Sequence, residues 1–136
     1  MRLLLIILSM FTSPLFASQF DVDTYSTSLD FAQVNDVFVT QQSSGTWCFN
    51  TSVRHNDQGW EHYADGWEIL DLEGNQLGSR KLHHPHNNEQ PFTRSQCDIA
   101  IPTKSSIVIV RARCNKHGFG GKSMVVILKN KNKNKK

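Results

Sequence analysis

From residue 35 to residue 128 the chain never sustains apolar residues at helical spacing, because turn-forming residues interrupt it about every 8 to 12 positions. Segments that short do not make core-forming helices, so strands are what the pattern permits. Residues 37–41 read as a first strand, closed by Ser43-Ser44-Gly45. Residues 47–55 alternate, with Trp47, Phe49, Thr51, Val53 and His55 on one face. Residues 66–72 end at Glu73-Gly74-Asn75, a hairpin-type turn, and 77–84 return from it. Residues 92–101 stop at Pro102, 107–114 open on a nearly continuous apolar run, and 123–128 close the domain. Seven strands over about 95 residues predict an all-β, immunoglobulin-like β-sandwich. Trp67 is expected in its core, and so is Trp60 from the preceding loop.

Residues 1–17 have the parts of a secretory signal: basic Arg2, an apolar run over 3–11, Ser13-Pro14 and then Ala17. The run falls far short of the about 20 residues that a bilayer span needs, so cleavage after Ala17 and export to the periplasm or medium are expected. No transmembrane segment is expected. No cysteine follows the run, which argues against a lipid anchor. Residues 18–34 read as an N-terminal arm and 129–136 as a basic disordered tail. The formal charge of the 136 residues is +3, and the five tail lysines account for it; the domain itself is mildly acidic. Without a basic stripe on the fold, nucleic acid is not an expected partner.

All six histidines fall between His55 and His117. If strands alternate in direction, the second, fourth and sixth end at one pole, which collects His55, His84 and Cys114. The loops that follow bring His62, His86 and His117 to the same place, with Asp57, Glu61, Asp65 and Glu89. Imidazole and carboxylate suit Zn(II) and Cu(II). The expected ligands are His55, His84, His86 and His117, with His62 and Glu89 as alternates. Strand parity turns His55 and His84 inward and His83 outward. The function expected is sequestration, delivery or resistance for one divalent copper or zinc ion.

Two other readings compete. The same loops would make a protein-recognition surface, for an inhibitor of an extracellular enzyme or an envelope-assembly partner, with Trp60, Tyr63 and Arg94 as anchors. The order Cys114, His117, Met124 resembles the cupredoxin pattern of an electron carrier, although its last gap is long. Cys114 shares parity with Val108, Val110 and Ala112 and is expected to be a small buried residue outside the ligand set. Three cysteines (Cys48, Cys97, Cys114) permit one disulfide without saying which. Gly121-Lys122-Ser123 lacks the leading glycine of a phosphate loop, and no metalloprotease or serine-hydrolase motif occurs. No catalytic constellation is found, so an enzyme is not expected.

Val53-Arg54-His55 through Tyr63-Ala64-Asp65, Leu82-x-His84-Pro85-His86, Glu89-Gln90-Pro91-Phe92-Thr93-Arg94-Ser95 and His117-Gly118-Phe119-Gly120-Gly121 together carry a resemblance. Over residues 46–128 the chain resembles a family of small exported, mostly uncharacterised bacterial β-sandwich proteins. The resemblance implies an exported domain with these boundaries and transfers no activity. That family has an acidic residue where Cys114 stands, which tells against a cupredoxin.

Overall fold

The computed structural model describes residues 21–129. The expected signal segment, residues 18–20 of the arm and residues 130–136 of the tail lie outside it. Among the described residues there is no helix, and so none long and apolar enough to cross a membrane. Eight strands form two antiparallel sheets: β1 (Gln33–Gln41), β2 (Trp47–Arg54), β3 (Ala64–Leu70), β4 (Gln76–Lys81), β5 (Phe92–Ile99), β6 (Ile107–Cys114), β7 (Gly118–Phe119) and β8 (Met124–Ile127). One sheet has the order β1-β2-β5. The other runs β4-β3-β6, with β7 pairing the end of β6 and β8 its start.

The two sheets share one core. Period-two alternation in β2 sends Trp47, Phe49, Thr51 and Val53 inward, where they meet Trp67 and Ile69 of β3 and Val108 and Val110 of β6. Trp67 is buried, as its sequence position predicts. The Glu73-Gly74-Asn75 turn joins β3 to β4 as expected; Gly74 takes φ 86°, and the Asp71 carboxylate accepts hydrogen bonds from the Glu73 and Asn75 N–H groups. Cys48 and Cys97, on neighbouring strands β2 and β5, form the disulfide, and Cys114 is the free, fully buried thiol.

Four expectations are corrected. The first strand begins at Gln33, not 37, because Val34 is fully buried and pairs with Val53, ahead of a bulge at Asn35 and the Asp36–Ser52 pair. Ala32 and Val34, inside the stretch 18–34 expected as an arm, therefore belong to the core, Val34 as part of β1. Trp60 is 65% exposed, not a core residue. The fourth strand stops at Lys81, so strand parity no longer governs His84, which faces solvent.

Candidate metal centre

The ends of β2 and β6, the β2–β3 and β4–β5 connections and the arm meet at one pole. Its organising group is the buried carboxylate of Asp57. Oδ1 accepts from the His55 ring Nδ1 at 2.6 Å and from the Ala64 N–H at 3.0 Å; Oδ2 accepts from the His86 N–H at 2.7 Å. Burial is the largest single influence on this carboxyl and pushes its pKa up. The hydrogen bonds from His55, His86 and Ala64 outweigh it and hold Asp57 below the ordinary carboxylate value. One ionised side chain thus ties three segments together. Gln90 adds a second tie, accepting from the His55 N–H and donating to the His86 carbonyl.

An ionised carboxylate only accepts, so the proton on His55 that faces it sits on Nδ1. In the neutral ring this leaves Nε2 as a lone pair directed away from Asp57. A carboxylate that orients a histidine in this way is the usual outer partner of a metal-binding imidazole. His55 Nε2, His62 Nε2 and Cys114 Sγ all converge on the main-chain carbonyl oxygen of Asp30, at 3.2, 3.3 and 3.4 Å. His55, His62 and Cys114 are buried and offer ligand atoms within 4.8 Å of one another. The His55 and His62 rings meet edge to face, at 4.7 Å between centroids. Two imidazoles and one thiolate suit Zn(II) or a copper ion.

The remaining histidines sit differently. His117 is exposed; its ring packs between His62, at 5.0 Å, and Phe31, at 5.5 Å, while its main-chain N–H donates to Cys114 Sγ. His86 stacks flat on Phe92 at 3.8 Å, and its Nε2 lies 2.9 Å from the Arg94 guanidinium. Guanidinium only donates, so that contact occupies the His86 Nε2 lone pair and places the ring proton on Nδ1. Nδ1 then points toward Asp57 Oδ2 at 3.9 Å, beyond hydrogen-bond range. Burial first, then the charges of Arg94 and His84, hold His86 below the ordinary imidazole value. His84 is exposed, with Nδ1 on its neighbour's carbonyl, that of Pro85, at 3.1 Å; its ring lies 4.5 Å from that of His86. Glu89 is exposed and lies 4.0 Å from the Arg94 guanidinium. His83 is exposed as expected, although it too lies beyond the end of β4 and parity does not set its direction.

The pole expected from strand direction therefore exists, but it is divided. His55, His62 and Cys114 form one inner group, whereas His84, His86 and Glu89 sit together beside Arg94. Met124 pairs with Val110, about 13 Å along β6 from Cys114, so the cupredoxin order Cys114, His117, Met124 is not assembled. Asp65 pairs with Arg113. Trp60 stands over Tyr63, ring centroids 5.6 Å apart, at the wall of an open groove of about 540 Å³ that also touches His84, His86 and Glu89. Cys114 and Asp57 were at the pole in the sequence reading but outside its ligand set. A carboxylate two residues after His55 was the available signal for Asp57; Asp30, acting through its main chain, left none.

A curated protein from Halomicrobium mukohataei described as "Putative lipoprotein" is 41% identical to this chain over 106 residues, covering 76% of this chain. Those residues are 52% of the relative, so the chain spans about half the length of the curated relative it matches. No family model matches the chain. No solved structure matches it either.

Proposed function

We propose that this chain is an exported, immunoglobulin-like β-sandwich that binds one Zn(II) or copper ion at its histidine pole, for sequestration, delivery or resistance rather than catalysis. The observation that carries the reading is the convergence of His55 Nε2, His62 Nε2 and Cys114 Sγ, with Asp57 orienting His55 from behind. His84, His86, His117 and Glu89 fall out of the ligand set, and Cys114 enters it. The Cys48–Cys97 disulfide supports an oxidising, extracytoplasmic compartment, periplasmic or secreted, as do the relative's description and the resemblance to small exported proteins.

A metal titration of the mature protein, read by elemental analysis, tests the reading. One equivalent of Zn(II) or copper is expected. His62→Ala and Cys114→Ser should each weaken binding by at least about 100-fold, as loss of a direct ligand exceeds the 10- to 100-fold typical of outer partners. His84→Ala with His86→Ala should leave affinity within a few-fold. Cys114 thiolate on Cu(II) gives intense visible charge transfer, so the copper adduct should be coloured and Cys114→Ser should bleach it. Zero stoichiometry for both metals sinks the reading.

One observation favours the protein-recognition alternative: Trp60 is 65% exposed on the groove wall, and large exposed aromatics anchor interfaces. Arg94 serves it poorly, because its guanidinium is occupied by His86 and the Thr93 carbonyl. Trp60→Ala should leave metal binding intact and, under this alternative, abolish capture of a protein partner.

A further inference from the structure

The metal site proposed above has a feature that its three side chains do not explain. The Asp30 carbonyl has two lone pairs, yet three groups crowd it at 3.2 to 3.4 Å. The neutral His55 ring makes matters worse, since its one N–H, on Nδ1, is donated to Asp57 and its Nε2 then sets lone pair against lone pair. Only an extra proton on His55, or a cation, turns that contact from repulsive to attractive. A cation in the middle would be bonded by all four atoms at once.

The distances fit a cation. Bonds of 2.0 to 2.3 Å in a tetrahedral Zn(II) site place its ligand atoms about 3.3 to 3.8 Å from one another. The three edges that meet at the Asp30 oxygen are already close to that length. The other three edges, none longer than 4.8 Å, need contract by no more than about 1.5 Å.

We infer that Asp30 closes the site, giving its main-chain carbonyl as the fourth ligand to Zn(II) beside His55 Nε2, His62 Nε2 and Cys114 Sγ. The inference rests on the metal-binding reading and deepens it. A site with four protein ligands leaves no open position for substrate or water, which is the arrangement of a holding site. It also makes the ion a staple between the arm and the sheets. Apart from Ala32 in the core and Phe31 against the His117 ring, the arm is held by hydrogen bonds: Ser26 N–H donates to the Gly120 carbonyl, the Asn56 N–H to the Leu29 carbonyl, and Gln33 Nε2 to the Ser26, Ser28 and Phe31 carbonyls. Its seat depends on Gly121, where a Cβ would run into the Ala32 carbonyl. Release of the ion would then require the arm to lift, which couples metal transfer to arm motion.

The test uses the mature protein loaded with Co(II) as a spectroscopic probe and with Zn(II) for NMR. Four-coordinate Co(II) gives much stronger visible d–d bands than five- or six-coordinate Co(II), so strong bands beside sulfur charge transfer are expected. Zn(II) should shift the carbonyl ¹³C resonance of Asp30 more than those of Asp21, Asp23 and Asp36. It should also slow amide exchange across residues 21–32 by at least tenfold. Gly121→Ala, which displaces the arm without touching a side-chain ligand, should weaken Zn(II) binding by about 10- to 100-fold. If one equivalent binds with weak d–d bands, an unmoved Asp30 carbonyl and unchanged arm exchange, the closure by Asp30 is wrong while the metal site stands. Wild-type affinity in Gly121→Ala, with the arm shown by exchange to be displaced, overturns it as well. If neither metal binds, both readings fall together.

Discussion

Asp57 shows how much one buried charge organises here. Its two oxygens accept from a ring, and from two main-chain donors on different segments. Removing one partner of such a buried set strands the others, at a cost of about 3 kcal/mol. Asp57→Asn should therefore lower the free energy of unfolding by about that amount in urea titration, because the amide turns an NH₂ toward groups that need an acceptor. It should also weaken metal binding by 10- to 100-fold through loss of His55 orientation. A variant as stable as the wild type, or one that holds metal equally well, would show that the Asp57 carboxylate does not hold this pole together or orient the His55 ring. At this scale the candidate site was only partly legible in the sequence. Counting strand directions brought the histidines to one pole, but residue type does not reveal which lone pairs are already occupied. Arg94 claims His86 across the turn from the β4–β5 connection into β5, and Asp30 contributes main chain, which every residue has.

The strands themselves were more legible. Alternation in β2, the apolar opening of β6 and the turn between β3 and β4 are local signals, and local signals survive into the fold. Misreadings arose where a tertiary contact overrode the pattern. Polar Gln33, Asn35 and Asp36 hide the start of β1, which pairing with β2 and burial of Val34 create. Trp60 looks like core by composition, yet its loop carries it outward. The disulfide joins β2 to β5 where their register shifts, between the Phe49–Gln96 and Trp47–Ile99 pairs. Its two cysteines are 49 residues apart, and the enclosed loop contains β3, β4 and the Asp57 hub. Loop-closure entropy for that length gives about 4 kcal/mol of stabilisation. Cys48→Ala with Cys97→Ala should lose about 2 to 4 kcal/mol in chemical denaturation, with little change in metal affinity. A loss below about 1 kcal/mol would mean that strand pairing, including the Asp98 N–H to Gln42 hydrogen bond, holds this sheet unaided.

For the whole molecule, pH is the variable that connects the pole to stability. His86 is held neutral by its surroundings: burial, the Arg94 guanidinium at its Nε2 and the neighbouring His84 all oppose a second proton, against the weaker pull of Asp57 and Glu89. Its folded pKa thus lies below the unfolded value of 6.5. Between the two values the unfolded chain binds more protons than the folded one, so stability rises with pH across that window. The contribution is complete above about pH 6.5 and is lost as pH falls through the lower folded value. Asp57 acts in the same direction, but only below its unfolded value of 3.8, which keeps the two effects apart. In metal-free protein, urea midpoints measured from pH 7.5 down to pH 5 should fall. His86→Gln, whose amide oxygen still accepts from Arg94 but does not titrate, should flatten that slope, whereas His83→Ala on the exposed side should not. If His86→Gln keeps the wild-type slope, the Arg94 contact does not hold the ring neutral, and the assignment of its Nε2 as an acceptor, which removes His86 from the ligand set, fails with it.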